Sequence, residues 1–268
     1  ENNFEYVAWC WKAGGDAVTN NEGSITTQVS ANPDAGFSIV KWTSNGNTSV
    51  TSMGHGLGKT PKFMIHKRLG VADNWFVYHS DIQTNNRQYL RLNTTDAAIT
   101  SPNDFWSTSS STMGIRQSSI AANGQDCIAY CWAEIEGYSK FGSYLANGNP
   151  NGNFVYCGFK PAWLMIKPYG NPSDSCYAGG YSSWSIYDSS RSPVNNSTMH
   201  ERVLFANRAY EEGKRGNGSA SGVFQNIDLL SNGFKLRGNS NCEVNTTSSS
   251  GFIFMAFAES PFQTANAK

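Results

Sequence analysis

Cleaving a glycan needs two carboxylates in one cleft, about 5 to 9.5 Å apart, and this sequence offers one closely spaced pair beside an aromatic run, Glu134 and Glu136. Glu134 follows the apolar run Ile128 to Trp132, and Glu259 repeats it after the related run Ile253 to Phe257. A solvated carboxylate after the last core residue of a strand is the ordinary reading of both. Glu211 and Glu212 stand in a Gly- and Arg-rich loop and read as solvated too. The histidines are scattered at positions 55, 66, 79 and 200, and Cys127-x-x-x-Cys131 has neither zinc-knuckle spacing nor a partner pair, so no metal or other cofactor is expected. No Gly-x-Ser-x-Gly elbow, P-loop or dinucleotide fingerprint occurs. The chain reads as non-enzymatic.

Binding groups are a different matter, and comparison within the chain finds them. Several segments recur: Trp75-Phe76-Val77-Tyr78 as Trp184-Ser185-Ile186-Tyr187, and Phe63-Met64-Ile65-His66-Lys67 as Trp163-Leu164-Met165-Ile166-Lys167. Residues present in both copies are first of all scaffold. The second copy also carries two insertions, Gly170 to Ser183 and Ala209 to Gly222. Within them Asp174, Tyr177, Tyr181 and Tyr210 combine rings with polar groups, which suits a saccharide: a ring covers the apolar face of a pyranose while carboxylates and amides take its hydroxyls. These four are the expected ligand contacts. A mobile loop, or one that packs against another subunit, is the competing reading.

The elements that position these groups are strands. Asp126 to Trp132 alternates bulky Ile128, Tyr130 and Trp132 with small Cys127, Ala129 and Cys131, the period of a strand with two unlike faces. Relatives of it lie at Val7 to Trp11 and Ile253 to Glu259, and Trp11, Trp132 and Phe257 are spaced by 121 and 125 residues. The spacing predicts a tandem duplication. Gly36 to Trp42 and Gly137 to Tyr144 read as strands ending at Asn-Gly-Asn turns, and Asn232-Gly233 as a hairpin turn. Trp163 to Ile166 lacks polar alternation and reads as a central strand. Polar segments, Asn103 to Ile115 and Ile227 to Leu236, precede each closing strand. The fold expected is all-β: two tandem, jelly-roll-like β-sandwiches over 13–135 and 136–262, with a tail over 263–268. Residues 1–12 hold a surplus copy of the closing strand. It is expected to complete an upstream domain, or to pair with the first repeat or another subunit.

Composition agrees. The chain has 268 residues, 26 of them Gly, with 13% aromatic and only 15% charged, the profile of strands joined by many turns. Lys+Arg 20 balances Asp+Glu 20, so the basic footprint of a nucleic-acid or anionic-membrane partner is missing. No apolar run approaches the roughly 20 residues of a membrane helix. The six cysteines are spread along the chain, several within apolar strands, and are read as reduced, packed thiols. Cys10 is expected to share the small face with Cys131.

Three stretches carry a resemblance: Val7-Ala8-Trp9-Cys10-Trp11-Lys12-Ala13-Gly14-Gly15, Gly137-Tyr138-Ser139-Lys140-Phe141-Gly142-Ser143-Tyr144 and Met255-Ala256-Phe257-Ala258-Glu259-Ser260-Pro261-Phe262. They are similar to a domain family of structural proteins of tailed phages, especially marine ones, where the segment often follows a laminin-G-like jelly roll. The resemblance covers nearly the whole chain and brings no catalytic or binding residues with it. It implies a virion protein, assembled in a bacterial cytoplasm: a tail-fibre or receptor-binding module that contacts a host-surface glycan. The alternatives are a purely structural fibre or capsid-decoration protein and, less favoured, a glycan depolymerase. It further implies a homo-oligomer, with a trimer favoured, and contacts with other virion proteins.

Overall fold

The computed structural model describes residues 6–170, 182–191, 195, 202–209, 212, 227–237, 244–245 and 251–259. Among them the regular structure is strand, apart from two single-turn 3-10 segments, and there is no α-helix. The first half comprises β1 (Val18–Asn20), β2 (Thr27–Asn32), β3 (Phe37–Thr43), β4 (Val50–Gly54), β5 (Phe63–Arg68), β6 (Phe76–His79), β7 (Gln88–Arg91), β8 (Ile99–Thr100), β9 (Trp106–Thr108), β10 (Thr112–Arg116) and β11 (Asp126–Trp132). The second comprises β12 (Ser139–Leu145), β13 (Phe154–Tyr156), β14 (Pro161–Pro168), β15 (Ser185–Asp188), β16 (Leu204–Phe205), β17 (Ile227–Leu230), β18 (Gly233–Leu236) and β19 (Gly251–Ala258).

In the first half a large sheet, ordered β1-β2-β3-β11-β5-β6-β7-β8, packs against a small one, β4-β10-β9. In the second half β12-β19-β14-β15-β16 packs against β13-β18-β17. Strand order therefore recurs: β3-β11-β5-β6-β7 has the order of β12-β19-β14-β15-β16, and all pairings are antiparallel. Register aligns the halves residue by residue. Trp132 lies opposite Phe37 and Phe63, as Phe257 lies opposite Ser139 and Trp163. The polar segments that precede β11 and β19 are not loops, because each supplies two strands of a small sheet.

The two-faced pattern of β11 has a direct physical cause. Its small residues, Cys127, Ala129 and Cys131, are fully buried inside the first sandwich, where the small sheet comes close. Its bulky residues lie on the other face, where Trp132 and the partly buried Tyr130 enter a third apolar core between the two large sheets. That core joins Phe63, Val77, Leu90 and Trp132 of the first half to Phe141, Trp163, Trp184, Ile253, Met255 and Phe257 of the second. The result is four stacked layers with the large sheets innermost. Every residue of β19 is buried for this reason, and β14, between β19 and β15, is central as its sequence predicts.

Residues 6–12 form no strand, which corrects the expectation for Tyr6 to Lys12. β2 already occupies the free edge of β3, and the Asn32 amide donates to the Lys12 carbonyl at 3.2 Å, so the segment runs alongside β2. Its indoles fill the open end of the middle core instead. The Trp11 ring lies 5.2 Å from Trp163, 5.4 Å from Phe257 and 5.9 Å from Trp132, all edge-on. Trp9 donates to Asp188 at 3.3 Å. Tyr6 stays 89% exposed, and Cys10 is exposed too, contrary to the small-face expectation.

Candidate functional site

Most of the described groups that the sequence offers for chemistry are paired or buried. The Glu134 carboxylate takes the Lys140 ammonium at 2.7 Å and the Phe141 N–H at 3.3 Å, while Glu136 is exposed. Glu259 pairs with Lys160 at 2.8 Å. Cys127, Cys131 and Cys157 are buried free thiols, and burial pushes them up to about 11, 12 and 12, far from a reactive thiolate. Among the described residues no three His, Cys, Asp or Glu side chains converge to hold a metal. Asp174, Tyr177, Tyr181 and Tyr210, the expected ligand contacts, lie outside the described residues, as do Glu211, His200, Cys176 and Cys242.

Among the described residues the halves differ at the mouth of each sandwich, between an edge of the large sheet and an edge of the small one. In the first half these rims are β3 and β4, and both are covered. β2 pairs with β3 from Gln28↔Lys41 to Asn32↔Phe37. The β1–β2 turn reaches β4, where Ser24 and Ile25 donate their N–H groups to the Ser52 carbonyl at 2.8 and 3.1 Å, and the Thr27 hydroxyl donates to Gly54 at 3.1 Å. Gly54 lets the Asn20 side chain lie close against β4. A Cβ there would stand 2.1 Å from the Asn20 side-chain oxygen.

In the second half the corresponding rims, β12 and β13, carry no covering strand among the described residues. Buried Val155 of β13 takes the place of buried Met53 of β4, so Phe154 and Tyr156 stand where Ser52 and Gly54 stand. Their side chains are 44% and 64% exposed, and that of Leu145, at the end of β12, is 58% exposed. Between the rims lies a groove of about 680 Å³, whose polar lining includes Lys62, Asp81, Glu134, Lys140, Ser143 and Asn153. Phe254 also lines the groove, and its carbonyl is held from the first half: His79 Nδ1 accepts the Asp81 N–H at 3.1 Å, so Nε2 carries the hydrogen and donates to the Phe254 carbonyl at 3.3 Å.

The backbone of β12 is also open. Tyr138 accepts from Ala258 at 2.8 Å, so alternate residues from Tyr138 bond to β19, and Phe141, Ser143 and Leu145 direct their backbone groups into the groove. Two of these groups are capped from within the chain. Glu134 takes the Phe141 N–H, and the Asn153 amide donates to the Leu145 carbonyl at 2.8 Å. Between the caps, the Phe141 carbonyl, both backbone groups of Ser143 and the Leu145 N–H have no hydrogen-bond partner among the described residues. Sequence reasoning missed this site. Its signal is a difference in length: β1 and β2 fit between Trp11 and Phe37, whereas only six residues separate Trp132 from Ser139.

The described residues thus form a layered all-β protein with an uncovered sheet edge, in which Glu134 and Glu259 are held in ion pairs. Its family can be stated. The chain belongs to the family described as Domain of unknown function (DUF7483), whose model matches residues 1–261. Neither the curated proteins nor the solved structures contain a match to it.

Proposed function

We propose that the chain is a structural module of a tailed-phage virion, of the tail-fibre kind, which acts by surface contact and without chemistry. The virion setting rests on the resemblance carried by residues 7–15, 137–144 and 255–262. The observation that carries the contact reading is the mouth of the second sandwich: the first half closes the same mouth with its own hairpin, while the second leaves a backbone edge and three large side chains in solvent. Exposed apolar groups gathered beside an unpaired edge mark an interaction site. A second reading is favoured by the rings of Phe154 and Tyr156 beside Asn153 and Asp81, a combination that suits a host-surface saccharide.

One experiment separates the two. In a phage carrying Phe154→Asp and Tyr156→Asp, the copies of this protein per purified particle, counted by quantitative mass spectrometry, are expected to fall severalfold while its soluble level is unchanged. Normal incorporation with lost adsorption to cells would replace assembly by saccharide recognition. Incorporation and adsorption both unchanged would remove the mouth as a contact surface, and absence of the wild-type protein from purified particles would remove the virion setting.

A further inference from the structure

We infer that β12 is a strand-addition edge, and that its occupant is the same edge of a second copy, paired antiparallel about a two-fold axis at Ser143. The inference rests on the reading of the mouth as an assembly surface and names its partner. The free backbone groups are self-complementary. With Ser143 opposite Ser143 of the other copy, each Ser143 N–H meets the other's carbonyl, and each Leu145 N–H meets the Phe141 carbonyl across from it. The Phe141 N–H and the Leu145 carbonyl meet each other at the ends of this ladder, so the Glu134 carboxylate that now takes the Phe141 N–H turns aside as the strands close. Sliding the register by two residues in either direction sets free groups of Ser143 against a capped one, so the caps select a single register.

Side chains and charge fit the same arrangement. Phe141, Ser143 and Leu145 share a strand face, so the ladder lays the exposed Leu145 of each copy across from the other's Phe141, at the rim of the middle core that already buries the Phe141 ring, and takes Leu145 out of water. Lys140 is neutralised by Glu134, and the chain has a formal net charge of zero, so two copies approach without repulsion. Natural edge strands are usually protected by charge, proline or a bulge; Gly142 to Leu145 has none of these. Such an isologous contact closes as a dimer, whereas a three-fold ring would need two different edges. This departs from the trimer expected from the resemblance.

The test is the mass of the purified full chain by light scattering over a dilution series, beside the variant Ser143→Pro. Proline at 143 removes a central donor while leaving the ladder to β19 intact, because that N–H points into the groove. Twice the 29.3 kDa chain mass is expected for the wild type, and a monomer with an unchanged circular dichroism spectrum for the variant. Hydrogen exchange of the wild type covers the case of a variant that fails to fold: the Ser143 and Leu145 amides should be protected at high concentration and lose that protection on dilution. A wild-type monomer at every concentration, a trimer, a folded Ser143→Pro variant that stays dimeric, or amides whose exchange ignores concentration would overturn the pairing. If the pairing fails yet the Phe154 and Tyr156 variants still lower incorporation into particles, the mouth remains an assembly surface for a different virion protein.

Discussion

Acidification from pH 6.5 to 4 is expected to remove much of the chain's stability, and two buried histidines are the reason. His66 lies inside the first sandwich, its ring 5.0 Å from Trp106 and 5.7 Å from Trp42, with no hydrogen-bond partner for either nitrogen among the described residues. Burial pushes it down to about 3. His79 is pushed down to about 4, chiefly by burial and further by the charge of Lys62, against the opposing pull of Asp81 and of the Phe254 carbonyl. Both folded-state values lie below the ordinary value near 6.5, so between that value and about 4 the unfolded chain binds protons that the folded chain refuses. The histidines' contribution to stability is therefore fully present above pH 6.5 and falls as pH falls. Each group costs about 1.4 kcal/mol per pH unit in that window, so two groups remove about 5 kcal/mol over roughly two units, against a typical total of about 5–15 kcal/mol. Urea midpoints between pH 4 and 7.5 give the measurement. The control is His66→Phe, which keeps a ring between the two indoles and should remove about half of the pH slope while raising stability at pH 5, since an unpartnered buried polar group is lost. A flat profile in the wild type would contradict the picture.

His66 also shows what the sequence makes legible. Its counterpart is Ile166, equally buried, so the internal comparison marks position 66 as core, although the residue type alone suggests a ligand or a base. Residues kept in both copies were readable in the same way. Trp75 and Trp184 take the same bond, each backbone N–H donating to an asparagine side chain at 2.9 Å, Asn93 in one half and Asn207 in the other. Alternation revealed which residues of β11 share a face, but not what each face meets. Period-2 patterning is equally satisfied by solvent, a small sheet or another sandwich, and only the tertiary structure places Trp132 in a core between the halves. The hairpin of β1 and β2 was illegible for a related reason: its outer face is polar and its hold on β4 is made by backbone groups and by the hydroxyls of Ser24, Thr27 and Ser52, residue types too common in this chain to mark a pattern. An open edge is harder still, because a free backbone carbonyl has no letter in the sequence.

Replacing Lys167 with methionine is expected to destabilise the whole chain by about 3 kcal/mol or more, whereas the same change at its counterpart Lys67 should cost less than about 1 kcal/mol. The register places these lysines at one position of β14 and β5, yet their surroundings differ. Lys167 is fully buried, and its Nζ lies within hydrogen-bond reach of the carbonyls of Asp96 at 2.8 Å, Pro168 and Ser182 at 2.9 Å and Thr95 at 3.4 Å. Two of these carbonyls belong to the first half, so one ammonium clamps the loop between β7 and β8 onto the second sandwich. Burial pushes it down to about 7, with the Asp96 charge opposing. Removing it leaves buried acceptors without a donor, at about 1–3 kcal/mol each. Lys67 donates to Val71 and Asp73 near the surface, where water replaces it. The damage should not stay local, because Trp184 continues the same contact by donating to the Arg91 carbonyl at 2.9 Å and packing against Phe63 in the middle core. With that core shared, thermal unfolding of the wild type is expected as a single transition seen alike by tryptophan fluorescence and far-ultraviolet circular dichroism. In Lys167→Met the midpoint should fall and the two probes separate, as one half outlasts the other. Coincident transitions at the wild-type midpoint in that variant would show that the halves are held together without the clamp.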